Sequence, residues 1–341
     1  MCGADHAPSA YGTRALNILA SEDKQQHLDR NQRRMAADRN MKSDFSMSDG
    51  STFGARYALG RKLGDGGFGV VYAGTRVQDS LAVAIKVIPD FLFKGRMDPY
   101  DEQLPLEVSI LHRVSDIDGV VQLIDACFED TNLMIVMEYV EGGMDLCQLM
   151  DTTELSHQQI RKLFRRLVET VVQVQAKGIV HRDIKPENIL MDPRTHSIKL
   201  IDFGCSSYAK KSYKSFRGSY DFHPPEYFQK GRIKSQAATV WSLGVTLYVL
   251  QTGRYPYYNL DRLTRQECAD IYFPEDVPWM CQHLIRSLLA HDDSHRPTLK
   301  EMLLHPYMGD GPMFRFDVPS LPWQHLPRSN PSFLLAPTVA V

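Results

Sequence analysis

Two short polar runs carry the residue types that phosphoryl transfer demands. His181-Arg182-Asp183-Ile184-Lys185-Pro186-Glu187-Asn188 is followed, after a short apolar strand at Ile198–Ile201, by Asp202-Phe203-Gly204. Such a transfer asks little covalent chemistry of a protein; positioning and charge neutralisation dominate. Asp183 has the chemistry to accept the proton of an attacking hydroxyl and to orient it. Asn188 and Asp202 offer hard oxygen ligands for two magnesium ions, and magnesium takes a few such ligands beside phosphate and water. Lys185 reads as a contact to the transferring group. A chance loop would not hold so many polar groups in this register.

Upstream lie the groups that would hold the phosphates. Leu63-Gly64-Asp65-Gly66-Gly67-Phe68-Gly69-Val70-Val71-Tyr72 contains a G-x-G-x-x-G pattern, weak by itself because dinucleotide-binding folds use it too. Here it joins two strand-like segments, whereas the dinucleotide fingerprint opens a helix. Glycine lets backbone approach phosphate oxygens and take torsions that a Cβ forbids. Lys86, in Val83-Ala84-Ile85-Lys86, projects from a strand and could neutralise two phosphates. Glu107, on the next helix, is its natural ion-pair partner. Either residue alone reads as a solvated surface charge; the order of glycine loop, strand lysine and helix glutamate favours the functional reading.

The elements that must position these groups follow from the apolar pattern. Tyr57–Leu63 and Gly69–Arg76 read as strands around a tight loop, and Leu81–Ile88 as a third that Pro89 stops. Leu104–Val114 has helical spacing with Pro105 at its first position. Val120–Cys127 and Leu133–Tyr139 are further strands. After Gly142-Gly143 the chain turns helical: Ser156 caps a helix whose apolar face runs from Ile160 to Val172 and which Gly178 ends. Ala237–Gly253 is apolar nearly all round and reads as a buried central helix, too short to span a membrane comfortably. Val277–Ala290 and Pro297–His305 complete the set. The expectation is an α+β chain with a small antiparallel sheet and one main helix, then a larger, mostly helical part. Residues 1–52 and 308–341 read as tails, the first polar enough to stay disordered apart from a possible helix at 15–39.

Composition bounds the remaining readings. The 341 residues are 43% hydrophobic and 23% charged with a net charge of −2, which argues against a basic nucleic-acid surface. No apolar run reaches bilayer length, and the start of the chain fits neither a signal peptide nor a myristoylation site. The six cysteines form no C-x-x-C pair and read as reduced thiols, Cys205 included. The cluster Arg30–Arg34 reads as a solvated charge run.

Together these motifs resemble the protein-kinase signature set, from about Phe53 to Pro306. Pro224-Pro225-Glu226 stands where kinases end their activation segment, and Arg296 where they carry the arginine that pairs with that glutamate. Lys185 within H-R-D-x-K-x-x-N resembles serine/threonine kinases. The resemblance implies a bilobal fold, with an N-lobe at 53–138, a hinge at 138–145 and a C-lobe at 146–307. It also implies ATP and Mg2+ as cofactors and protein substrates bearing serine or threonine, with no nucleic-acid or membrane partner. A monomer in the cytoplasm, with access to the nucleus, is the default expectation.

A closer resemblance is to the Pim kinases. It rests on the glycine loop at 63–69, Leu104-Pro105 before Glu107, Leu200-Ile201-Asp202-Phe203-Gly204, Ala238-Thr239-Val240-Trp241-Ser242-Leu243-Gly244 and Cys281-Gln282-His283-Leu284-Ile285-Arg286. The stretch Glu138–Leu146 shares their hinge, one residue longer than usual. The resemblance implies that Leu63, Val71, Ala84, Leu190 and Ile201 sandwich the purine, with Met137 as gatekeeper and Glu138 offering its carbonyl. Three departures stand out. Val140 replaces the hinge proline and restores an N–H, so a second hydrogen bond to adenine is expected. Gln148, Pro186, Arg254 and Leu260 stand where acids are expected, and the activation segment carries Lys210, Lys211, Lys214 and Arg217; Asp145 and Glu187 survive, so a preference for basic substrates is held weakly. Thr239 replaces an aspartate that in most kinases supports the catalytic loop, as it also does in active Pim kinases.

Ser206, Ser207, Tyr208, Ser212, Tyr213, Ser215 and Ser219, seven hydroxyls between Asp202 and Glu226, read mostly as ordinary loop groups, although a phosphate on one could pair with Arg182. The rival reading of the whole chain is a pseudokinase scaffold acting by partner binding. A small-molecule phosphotransferase is disfavoured by the full activation segment.

Overall fold

The computed structural model describes residue 47 and residues 52–192, 194–214, 217–257 and 271–309. The expected helix at 15–39, the cluster Arg30–Arg34, most of both tails, Cys2, Cys268, Ser215 and Leu260 lie outside the described residues. The chain divides into two compact units: residues through Ser115 with Gln122–Tyr139, and Asp116–Val121 with the residues from Val140 onward.

The first unit is an antiparallel sheet. Strands β1 (Tyr57–Gly66), β2 (Gly69–Arg76), β3 (Ala82–Pro89), β4 (Leu123–Glu129) and β5 (Asn132–Glu138) lie in the order β1-β2-β3-β5-β4. Alternation along β3 decides which face meets the core. Val83 and Ile85, both fully buried, pack with Phe53, Tyr57, Cys127, Met134 and Val136. On the other face, cross-strand register aligns Val71 with Lys86 and Ala84 with Met137. Gly74 is required by this packing, because a Cβ there would stand 2.2 Å from Ile85 Cδ1.

Two expectations fail locally. The glycine cluster is not one loop: β1 runs on to Gly66, paired with Gly69 across a turn of only Gly67 and Phe68, with bulges absorbing the misfit. The helix α1 covers Leu106–Arg113, so Pro105 precedes its first turn rather than opening it. Asp101–Pro105 instead forms a ribbon with Met97–Asp98, and Leu106 N–H donates to Arg96 O at 2.8 Å.

The second unit is mostly helical. Its helices are α2 (Leu146–Thr152), α3 (His157–Ala176), α4 (Pro225–Lys230), α5 (Ser235–Thr252), α6 (Trp279–Leu288) and α7 (Leu299–Leu304). Ser156 and Gln159 form a reciprocal capping box at the start of α3, and Thr298 with Glu301 does the same for α7. Gly178 takes φ 75° just past α3, the left-handed stop that glycine supplies. The helix α5 is buried on nearly every side, as its unbroken apolar run predicts, and α6 crosses it closely at Gly244. A small hairpin, β6 (Ile189–Met191) and β7 (Ile198–Leu200), carries the polar runs at its ends. Among the described residues no helix is long and apolar enough to cross a membrane.

Candidate active site

In the first unit the lysine and glutamate singled out from the sequence meet. Lys86 Nζ lies 2.6 Å from Glu107 Oε1, with the two side chains 5% and 9% exposed. Taking two charges from water costs several kcal/mol per ion, so the geometry must be tight for the pair to persist. Register keeps Val71, Ala84, Lys86 and Met137 on one sheet face, opposite the core. Phe68, at the turn between β1 and β2, lies 5.9 Å from Lys86 Nζ and 5.6 Å from the Arg96 guanidinium. Leu63, Gly64, Asp65 and Gly66 belong to β1, and Gly69 and Val70 open β2. Of these glycines only Gly69 takes a positive φ, 129°, and a Cβ there would come within 2.4 Å of Val87 O. Asp65 pairs locally with Lys62 at 2.8 Å. Glu138 ends β5 and accepts from Gln122 N–H on Oε1 at 2.9 Å.

In the second unit the hairpin register brings Asn188 and Asp202 to one end. Ile189 faces Leu200, and one step further Ile201 N–H donates to Asn188 O at 3.0 Å, so Asp202 follows directly. Leu190 faces Lys199, which places Leu190 and Ile201 on a common side. Val140 O accepts from Gly143 N–H at 2.9 Å and closes a turn through Gly142.

Asp183 is 5% exposed and its carboxylate is held at both oxygens. Ser219 N–H donates to Oδ1 at 2.9 Å, and Asn188 Nδ2 donates to Oδ2 at 3.0 Å and to the Asp183 carbonyl at 2.7 Å. Lys185 Nζ sits 3.5 Å from Oδ2 and donates to Ser219 Oγ at 2.6 Å. Ser219 is thus part of the site, although in the sequence it was one loop hydroxyl among seven. Its partners lie 34 and 36 residues away, so no local spacing marks it.

The loop is fixed from below by His181. Its Nδ1 accepts from Asp183 N–H at 3.3 Å, which leaves Nε2 to donate to Ile201 O at 2.9 Å. Burial pushes the pKa of this imidazole below its ordinary value, keeping it neutral, and Phe203 meets it edge-on at 4.8 Å. Arg182 and Asp202 take φ of 72° and 58°, a left-handed backbone that β-carbon residues adopt only under external constraint. The Arg182 guanidinium lies 4.2 Å from the centre of the Tyr213 ring, and Tyr213 OH donates to Tyr208 O at 3.1 Å. Thr239 makes no carboxylate contact, of course; its hydroxyl donates to Ser235 O at 3.1 Å on its own helix. A small cavity opens between Thr239, Ser235, Arg182 and Tyr213. Glu226 and Arg296 pair as expected, at 2.8 and 2.7 Å, with Trp241 4.7 Å from the guanidinium.

The donor chemistry fits magnesium. Asn188 Nδ2 is engaged with Asp183, so Oδ1 is the atom that would bind a cation, and Asp202 would add carboxylate oxygen beside it in the hairpin. Among the described residues no group of three or more His, Cys, Asp or Glu could hold a metal ion.

Residues 57–308 match the protein kinase domain family. The serine/threonine-protein kinase prk-2 of Caenorhabditis elegans is 35% identical over 261 residues, covering 76% of this chain and 59% of that protein. The serine/threonine-protein kinase pim-2 of Danio rerio is 34% identical over 75% of this chain and 86% of its own length. Aurora kinase C of Mus musculus is 30% identical over 74% of this chain and 91% of its own. Similarity is therefore spread over several serine/threonine kinase groups, and the antiparallel first lobe with its helix and the mostly helical second lobe are those of the kinase fold. The chain belongs to the eukaryotic protein kinase family.

Proposed function

We propose that the chain is an active, Pim-like serine/threonine kinase that moves the γ-phosphate of ATP onto hydroxyls of protein substrates. The observation that carries this reading is the buried Asp183 carboxylate, gripped by Ser219 N–H and Asn188 Nδ2. Both donors leave the charge in place while fixing its direction, so the carboxylate can orient an acceptor hydroxyl and take its proton. Lys185 neutralises the transferring group. Lys86, held by Glu107, takes phosphates of the nucleotide, and the glycine-rich hairpin from Leu63 to Val71 covers them. Asn188 and Asp202 would hold magnesium, which would supply charge neutralisation on the phosphates. Leu63, Val71, Ala84 and Met137 of the first unit would receive adenine. It bonds to Glu138 C=O and Val140 N–H.

A degenerate peptide library incubated with labelled ATP and magnesium tests the reading. Wild type labels serine and threonine, and Asp183→Asn loses about 100-fold or more. Equal labelling by the two proteins removes Asp183 from the chemistry. The rival reading is a pseudokinase scaffold acting by partner binding; Thr239 lends it no support, because active Pim kinases lack the aspartate too. It predicts no labelling by either protein.

A further inference from the structure

The cavity beside Arg182 is walled by separate elements of the second unit. On one side Val180, Arg182 and Ile184 line it, alternating with His181 and Asp183, whose side chains bond toward Ile201 and Ser219. Opposite are the first two turns of α5, where Ser235, Thr239 and Ser242 stand at i, i+4 and i+7 on one helix face. The Tyr213 ring, 4.2 Å from the Arg182 guanidinium, closes a third side. The volume between them is ≈ 20 Å³, which takes a single body the size of a water molecule or a monatomic ion.

One hydroxyl of that helix face differs from its neighbours. Thr239 donates to Ser235 O at 3.1 Å, and Thr246, further along, donates to Ser242 O at 2.8 Å, each reaching the carbonyl four residues back. Ser235 opens the helix, so it has no helical carbonyl four residues back. The residue is 7% exposed, and its buried Oγ makes no hydrogen bond. A hydroxyl in that position carries its full desolvation cost, which an acceptor in the cavity removes. The N-terminus of the 18-residue α5 has no side-chain cap and no acid in its first turn, so the positive end of the helix dipole lies at the same place.

Among the residues that line the cavity Arg182 is charged and none is acidic. The acids around it serve other groups. The Asp183 carboxylate accepts from Ser219 N–H and Asn188 Nδ2, Glu226 is gripped at both oxygens by Arg296, and Asp293 pairs with Lys234 at 2.9 Å. A guanidinium, a helix N-terminus and a hydroxyl with a proton to give all favour a negative occupant over water. The volume is too small for a phosphate or a carboxylate-bearing molecule. A halide fits.

We propose that the cavity is a halide site, in which chloride held by Ser235 Oγ–H, the Arg182 guanidinium and the first turn of α5 ties the Arg182 backbone to that helix. Arg182 takes a φ of 72° directly before Asp183, so the halide steadies the setting of the carboxylate. Its effect on rate rests on the kinase reading above; its binding does not.

The test uses the full chain. Crystals soaked in sodium bromide and measured at the bromine edge should show an anomalous peak between Ser235 and Arg182. Melting and peptide labelling are then compared in sodium chloride and in sodium methanesulfonate, whose anion is too large for the cavity, at equal ionic strength. With chloride at about ten times its dissociation constant, Tm should rise by about 3 °C. kcat should rise roughly three-fold with little change in the KM for ATP, because the halide acts through the placement of Asp183. Ser235→Ala removes a donor and Thr239→Asp puts a carboxylate into the cavity, and each should abolish the difference between the two salts. A water without anomalous signal at this place overturns the inference. So does a bromide peak with no difference between the salts, which marks an adventitious ion only, and so does a difference that survives in both variants. A peak and a melting shift without labelling in any salt defeat the kinase reading and leave the halide site standing.

Discussion

Replacing His305 with asparagine should flatten the dependence of stability on pH. His305 is 3% exposed, and its Nδ1 accepts from Tyr307 N–H at 3.1 Å. The proton must then sit on Nε2, which donates to His283 Nδ1 at 3.0 Å across rings stacked at 5.2 Å. Protonating Nδ1 would set it against the Tyr307 N–H, and burial together with His283 lowers the pKa to about 3. In the unfolded chain the same histidine titrates near 6.5. Below that pH the unfolded state binds the extra proton and the folded state does not, so stability falls as pH falls. It stops falling only near the folded pKa. Between pH 7 and pH 5 the site alone costs about 2 kcal/mol.

Asparagine keeps an oxygen for the Tyr307 N–H and cannot titrate. Urea unfolding followed by fluorescence of Trp241 and Trp279, both in this lobe, measures the difference between the two pH values. His305→Asn lowers stability at both, but its loss between pH 7 and pH 5 should be about 2 kcal/mol smaller than that of wild type. His181, His223 and His283 are lowered too, so wild type should lose more than the His305 share alone. Equal losses in the two proteins would refute the reasoning, because they would mean that His305 carries the same proton folded and unfolded.

Arg296→Lys should destabilise the second lobe by about 3 kcal/mol in thermal or urea melts, since lysine cannot reproduce the two-pronged bond to Glu226 and the bonds to Ala290 O and Ala237 O. A cost below about 1 kcal/mol would show that the fork geometry is dispensable. Ser219→Ala should lower kcat about ten-fold with little change in KM for ATP, and Ser219→Thr should restore it, because the backbone N–H on Asp183 survives while the Lys185 contact is lost and regained. Lys86→Met and Glu107→Gln should each cut kcat/KM, and the double variant should be little worse than Lys86→Met, since the two act as one ion pair. Additive losses in that cycle would separate their roles.

What could be read from the sequence was whatever depended on residue type in order. Lys86 found Glu107, and Glu226 found Arg296, because each pair is a strong charge match flanked by strand and helix signals. The buried character of α5 followed from its composition alone. The glycine cluster misled because freedom to adopt unusual torsions is not an obligation: strand pairing extends through Gly66, and only Gly69 uses the freedom. Pro105 misled because a proline suits both the first helical turn and the residue before it, and the ribbon with Met97 decided between them. Ser219 and Tyr213 were illegible for a different reason. Their partners are brought by tertiary folding of a segment whose hydroxyls look alike in one dimension.

The backbone of Arg182 is strained, and the aromatic ring of Tyr213 leans on its side chain from the segment downstream. Ser207 and Tyr208 also zip onto Val180 and Ile179, and Ser206 Oγ reaches His181 O at 3.1 Å. The two stretches are therefore mutual struts with a shared fate: amides of residues 179–183 and 206–213 should exchange hydrogen at matching rates. Prising Tyr213 away should therefore loosen residues 179–183, Asp183 among them, from a segment well downstream in the chain.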